Sequence, residues 1–185
     1  MNMTVPPLET ERLLVRPYTM DDLPNVPQCS DPDRRREWLE WTVRNYQQLA
    51  GLYQPPYGDR AVVLKEAGVL IGSVGYVPSW GPFQRLPSFR QAGDDPASPL
   101  CTPEMGLFWT LAPEHRGRGY ATEAARALIG FAFTDLQARR VVATTEHDNL
   151  PSQAVMRRLG MTLEANPLPE PEWFQVVGVL HNTIG

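Results

Sequence analysis

Apolar and polar positions along this chain follow two periods, and their order predicts the elements. The run Leu13-Leu14-Val15-Arg16-Pro17 reads as a first strand, ended by Pro17. Cap-type residues Thr19-Met20-Asp21-Asp22 predict a helix start, and Pro24, Pro27 and Pro32 make the following stretch irregular. Arg35 to Leu52 carries a helical pattern, with Trp38, Trp41, Tyr46 and Leu49 as expected apolar contacts. Arg60 to Lys65 and Val69 to Val77 read as two strands, joined through Glu66-Ala67-Gly68 as a tight hairpin. The segment from Pro78 to Pro103, with Trp80, Phe83, Phe89 and Arg90, is the least regular. Long loops of this kind are often functional. Glu104 to Leu111 is the next strand. From about Gly119 a helix begins, with Ala121, Ala124, Ala125, Leu128, Ala132 and Leu136 on one face. Arg140 to Thr145 reads as a strand and Pro151 to Leu159 as a short helix, with Arg157 and Arg158 in its last turn and Gly160 as its stop. Met161 to Glu164 and Gln175 to His181 are the last two strands. The predicted order is β-α-α-β-β-β-α-β-α-β-β, a mixed α/β (α+β) chain.

Composition narrows the function classes. At 185 residues, 42% apolar and 21% charged, the chain is expected to form a single domain over residues 1–185. A net charge of −4 argues against a general nucleic-acid binder. Cys29 and Cys101 show no metal spacing and read as reduced thiols, and His115, His147 and His181 share no ligand pattern, so no metal is expected. The first residues lack the basic and apolar regions of a signal peptide, and no apolar run approaches the roughly 20 residues of a membrane span. A cytoplasmic location without membrane contact is the expectation.

The chemistry concentrates in His115-Arg116-Gly117-Arg118-Gly119-Tyr120-Ala121, between the strand ending at Leu111 and the helix opening near Gly119. A glycine turn feeding a helix N-terminus presents unpaired backbone N–H groups and the positive end of the helix dipole to an anion. Two arginines add phosphate donors. A nucleoside-triphosphate P-loop needs Gly-x4-Gly-Lys-Ser/Thr, and the one lysine, Lys65, is elsewhere. A dinucleotide fingerprint needs a third glycine where Thr122 stands. Arg116, Gly119 and Ala121 fit instead the pattern Arg/Gln-x-x-Gly-x-Gly/Ala.

That loop resembles the pyrophosphate loop of the GNAT superfamily of N-acetyltransferases. The segment His147-Asp148-Asn149-Leu150-Pro151-Ser152, running on to Leu159-Gly160-Met161, is similar to a second motif of the same superfamily. Leu8-Glu9-Thr10-Glu11-Arg12-Leu13-Leu14-Val15-Arg16-Pro17 resembles the first strand of its ribosomal-protein (Rim-type) branch. The resemblance implies a GNAT fold, a single mixed, mostly antiparallel sheet of about seven strands flanked by about four helices. It implies acetyl-CoA as cosubstrate, no metal, and an amine acceptor, with the chain acting as a monomer or homodimer. By the same resemblance, Trp109, Thr110 and Leu111 hold the pantetheine arm, and Arg116, Gly117, Arg118, Gly119, Tyr120 and Ala121 hold the pyrophosphate. Asn149 bonds the arm, and Ser152 protonates the leaving thiolate. A tyrosine donor used in other branches is absent, because Met156 stands there, and a glutamate base of one branch is replaced by Thr144.

The general base stays open among Glu104, Glu172 with its neighbour Glu170, and Glu146. The acceptor also stays open. At pH 7 an α-amine is roughly 10% neutral, whereas a lysine amine is neutral at about 0.04%. An unassigned base therefore favours a protein N-terminal α-amine over a lysine or a polyamine. A small-molecule acetyltransferase acting on an amino acid, polyamine or aminoglycoside is the rival enzyme. A non-catalytic acyl-CoA-binding domain is the rival outside catalysis.

Overall fold

The computed structural model describes residues 5–26, 31–93, 95 and 98–183. Cys29 lies outside them. The strands are β1 (Leu8–Glu9), β2 (Leu13–Arg16), β3 (Gly58–Leu64), β4 (Val69–Gly81), β5 (Thr102–Leu111), β6 (Arg140–Thr145), β7 (Thr162–Ala165) and β8 (Val176–His181). The α-helices are α1 (Pro32–Gly51), α2 (Tyr120–Thr134) and α3 (Leu150–Arg158), and a 3-10 helix at Met20–Asn25 makes the fourth. The strands form one sheet in the order β1-β2-β3-β4-β5-β6-β8-β7. The pair β5–β6 is parallel, while β1–β2, β2–β3, β3–β4, β6–β8 and β7–β8 are antiparallel. This is the mixed, mostly antiparallel architecture expected. The added strand is β1, two residues that pair Leu8 with Val15 and Glu9 with Leu14. A pairing that short has no period for the sequence to display.

The chain divides into two compact units, one of Met1–Val77 with Phe108–Gln137, the other of Pro78–Leu107 with Ala138–Gly185. In the first, Tyr18, Val26, Leu39, Ala61, Val63 and Leu70 form a buried cluster, with Leu14, Leu23, Trp38 and Val43 packed on it. Helix α1 starts at Pro32 rather than Arg35, because the Asp31 carboxylate accepts from the N–H groups of Asp33 and Arg34 at 3.0 and 3.3 Å. Trp41, an expected core contact, is exposed. Leu39, Thr42, Val43 and Tyr46 share the inward face, and Trp41 falls about 200° around the helix from Leu39. The helix α2 face is as expected at Ala124, Ala125, Leu128 and Ala132, and adds Ile129 and Phe131.

Two glycines in β4 permit close strand packing in this unit. A Cβ at Gly72 would lie 2.2 Å from the Thr110 carbonyl oxygen, and one at Gly75 would lie 2.2 Å from that of Gly58 and 2.7 Å from the Phe108 ring. Gly68 closes the predicted hairpin with φ +65° and donates to the Leu64 carbonyl at 2.8 Å.

In the second unit, part of the segment read as an irregular loop is core. Strand β4 runs on to Gly81, and two 3-10 turns carry Phe83, Leu86 and Phe89 into a cluster with Val142, Phe174, Val177 and Val179. The Phe83 ring centroid lies 5.0 Å from those of both Phe89, which is tilted to it, and Phe174, which meets it edge-on. Trp80 stays exposed. Helix α3 ends as predicted at Gly160, φ +84°. The N–H of Gly160 bonds the Arg157 carbonyl and that of Met161 the Met156 carbonyl, a Schellman closure.

Asp22 supplies the first unit with a charge-dependent contact. Its carboxylate takes both terminal nitrogens of Arg16, at 2.7 and 2.6 Å, and the Thr19 N–H at 2.9 Å. Burial pushes the Asp22 carboxyl up, but the Arg16 and Thr19 bonds outweigh it and hold the group below its ordinary 3.8. A depressed carboxyl stabilises above its unfolded pKa and loses that contribution as pH falls through its folded value. Asp22→Asn is expected to cost about 2 kcal/mol at pH 7. The gap from the parent should shrink as the solution is taken below the ordinary aspartate range, as read by urea unfolding across pH.

Candidate active site

The turn before α2 has the geometry of an anion cradle. Gly117 and Gly119 both adopt left-handed backbone, φ +74° and +83°, a region in which any other residue would cost roughly 1–2 kcal/mol. Gly119 is the N-cap of α2 and brings no side-chain cap. The backbone N–H groups from Gly117 to Thr122 make no backbone hydrogen bond among the described residues. Thr122, in the first turn and 7% exposed, has a buried hydroxyl with no hydrogen-bond partner among the described residues. Unsatisfied donors at a helix N-terminus suit a phosphate. A Cβ on Gly117 would meet nothing within 4 Å, so the space beside the turn is open.

Both expected arginines flank this cradle, with different engagements. Arg116 turns its Nε back to the Leu111 carbonyl at 2.9 Å, fixing the turn to the end of β5. Arg118 is exposed and contributes its carbonyl to Arg12 at 3.1 Å. Tyr120 opens the helix, and its ring lies 4.5 Å under the Arg12 guanidinium. Ala121 follows it, half-buried. Trp109 and Thr110 are half-buried and Leu111 is buried at the end of β5, where the Ala112 N–H bonds the Ile71 carbonyl at 2.9 Å.

The second unit holds the other expected residues. Asn149 caps α3, its Oδ1 accepting the Ser152 N–H at 3.2 Å. The Ser152 side chain is half-buried, and its hydroxyl has no hydrogen-bond partner among the described residues. Glu104 gives both carboxylate oxygens to the Arg140 guanidinium, whose Nε is at 2.8 Å and whose plane lies over the Phe89 ring. Both oxygens of this carboxylate are thus taken up by the arginine fork. Glu146 is exposed and held low, first by its own backbone N–H and then by Thr145 and Asn149, which weakens it as a base. Glu172 opens a 3-10 turn, exposed. The carbonyl of Glu170 accepts from Arg85 and Asn166. Among the described residues no group of three or more His, Cys, Asp or Glu could hold a metal ion, and no helix is long and apolar enough to cross a membrane.

Residues 12–162 match the family described as the acetyltransferase (GNAT) domain. The chain belongs to this GNAT acetyltransferase family. Its relatives include the uncharacterized N-acetyltransferase YnaD of Bacillus subtilis (strain 168), 26% identical over 161 residues that cover 85% of this chain and 83% of that protein. A solved acetyltransferase from Agrobacterium tumefaciens str. C58 superposes with a TM-score of 0.65 at 26% identity, over 98% of this chain and 97% of its own. A ribosomal-protein-S5-alanine acetyltransferase from Vibrio fischeri shares the fold, with a TM-score of 0.65 at 18% identity over 97% and 98%. The family and the relatives make this GNAT protein an N-acetyltransferase.

Two features of the acetyltransferase escaped the sequence reading. Glu123, in the first turn of α2, binds Thr10 and Arg12 from the turn between β1 and β2. The spacing of 111 residues between Arg12 and Glu123 leaves no local signal. Asp59 on β3 is the described carboxylate pushed upward, by burial first, with a Ser73 bond and the charge of Arg60 opposing. A charged pair, Asp59-Arg60, opening the apolar run Ala61-Val62-Val63 was the available cue.

The cap on α3 can be tested directly. Asn149→Ala is expected to destabilise the protein by about 1 kcal/mol, and Asn149→Asp to retain most of that, in denaturant titrations.

Proposed function

We propose that this protein transfers an acetyl group from acetyl-CoA to a primary amine, with a protein N-terminal α-amine as the preferred acceptor. The observation that carries the reading is the run of N–H groups from Gly117 to Thr122, unpaired with backbone among the described residues and containing two left-handed glycines, a donor set matched to a pyrophosphate. Arg118 is free to add a charged donor from the exposed side of the turn. Bound acetyl-CoA supplies an activated thioester carbonyl, which the amine attacks directly.

The residues then divide the work. The backbone of Trp109, Thr110 and Leu111 takes the pantetheine arm as an added strand would. Asn149 bonds the arm, and the unpartnered Ser152 hydroxyl is the proton donor to the departing thiolate. For the base, Glu104 is the weaker choice because Arg140 occupies it, and Glu172 is the freer of the two first candidates. Asp59 is a further candidate. It pairs across β3–β4 with Gly75, which the Phe108 ring covers next to Trp109, and burial raises its affinity for a proton. The α-amine preference rests on the absence of a dedicated strong base, since that acceptor is already partly neutral at pH 7. The name of the Vibrio fischeri structure, a ribosomal-protein acetyltransferase, agrees with that direction.

Gly119→Glu is expected to abolish coenzyme A binding in calorimetry while the protein stays folded, its stability lowered by the roughly 1–2 kcal/mol of left-handed strain. A Cβ there meets only the end of Arg12, at 3.5 Å. Unchanged affinity would sink the loop assignment. Incubation with acetyl-CoA and a panel of N-terminal peptides, lysine peptides, polyamines and aminoglycosides should give acetyl mass shifts confined to peptide α-amines. Acetylation of a small amine alone would move the function to metabolism or resistance, and binding without any product would favour a sensing role.

A further inference from the structure

The contacts of Arg12 go beyond an ordinary surface ion pair. Its Nε and Nη2 bind Glu123 Oε2 at 2.7 and 2.6 Å, its Nη1 donates to the Arg118 carbonyl at 3.1 Å, and its plane stacks on Tyr120. Its own backbone N–H, with the Thr10 hydroxyl, binds Glu123 Oε1 at 2.9 and 2.6 Å. Partial burial pushes the Glu123 carboxyl up, but these bonds prevail and hold it below the usual range, so it is charged at neutral pH. The turn between β1 and β2 thus grips the first turn of α2 and the middle of the glycine turn together.

We propose that Arg12 is a positioning residue of the coenzyme loop, acting through Glu123 and the Arg118–Gly119 peptide. This rests on the reading of residues 116–121 as the pyrophosphate site. Two physical effects follow from the geometry. The first concerns direction. A trans peptide is planar with its C=O and N–H opposed, so drawing the Arg118 carbonyl to Arg12 turns the Gly119 N–H the opposite way. Gly119, at φ +83° on one side of it, would otherwise let that peptide flip at little cost and present its carbonyl, an acceptor, to the phosphate. Arg12 selects the donor face. The second effect is charge. A carboxylate in the first turn of a helix satisfies the dipole, but it repels a second anion arriving there. Arg12 cancels that carboxylate and leaves the dipole and the free N–H groups to the ligand. Two guanidinium N–H groups remain beyond its protein bonds, close to where Gly119 faces.

Calorimetry with coenzyme A on purified full-length protein tests this without an acceptor. Arg12→Ala is expected to weaken binding about tenfold, and Arg12→Lys, which keeps the charge but not the fork, by less. Glu123→Gln added to Arg12→Ala should recover part of the loss, because the uncompensated carboxylate is gone. A role confined to fold stability predicts no such recovery, since the second change removes a further contact from the hairpin. Melting curves taken in parallel identify any variant that fails to fold, in which case Arg12→Lys with and without Glu123→Gln carries the comparison. Parent-like affinity in Arg12→Ala, or a loss that Glu123→Gln leaves unchanged or deepens, overturns the proposal. Failure of the unmodified protein to bind coenzyme A would instead overturn the loop reading beneath it.

Discussion

The backbone N–H groups that begin α2 have no backbone partner among the described residues, and the arrangement around them follows from keeping them so. A helix N-terminus is ordinarily capped by a Ser, Thr, Asp or Asn side chain. Here the cap is Gly119, which brings no side chain and reaches a left-handed conformation without penalty. The start of α2 is therefore held from outside. Arg116 ties the turn to the end of β5, and the Thr10-Glu11-Arg12 turn ties the first helical turn to the β1–β2 hairpin through Glu123. Both ties use side chains, which leaves the backbone donors available. An ordinary cap would have made α2 more stable on its own and taken up a donor that the proposed anion site uses.

That division of labour explains what the sequence made legible. Strands and helices that bury one face came through: β2, β3, β6 and β8, the face of α2, the Gly68 hairpin and the Gly160 closure all follow from period or from a glycine with positive φ. Elements made by contact rather than by pattern did not. Strand β1 exists because two residues fold back on β2, and Trp41 is exposed because the inward face of α1 is set by Leu39 and Tyr46 rather than by residue size. The stretch after β4 looked irregular because its prolines break any period, yet Phe83, Leu86 and Phe89 enter the core through short 3-10 turns that have no sequence repeat.

The proposed coenzyme loop stands out in the sequence for a similar reason. Backbone recognition demands glycine at fixed places, and glycine spacing survives in a single sequence. Acid–base residues carry no such mark. Glu104 and Glu172 are both plain carboxylates in the sequence, and only the structure separates a carboxylate clasped by Arg140 from one exposed at a turn. Asp59 differs from either by its burial, in a setting made by its strand neighbour Arg60 and by Tyr46 and Ser73 arriving from other elements.

Charge at the start of α2 poses a conflict that the fold resolves locally. Glu123 favours the helix and disfavours an arriving phosphate, through the same field. Removing the carboxylate would release the hairpin, because Thr10 and Arg12 both bind it. Leaving it bare would set a negative charge beside the proposed pyrophosphate site. Pairing it with an arginine that also holds the adjoining peptide satisfies both demands with one side chain. A lysine would supply the charge, but not the planar fork that reaches a carboxylate and a carbonyl at once. The residue type at position 12 thus follows from the geometry of two acceptors, Glu123 and the Arg118 carbonyl, which the chain brings together only when folded.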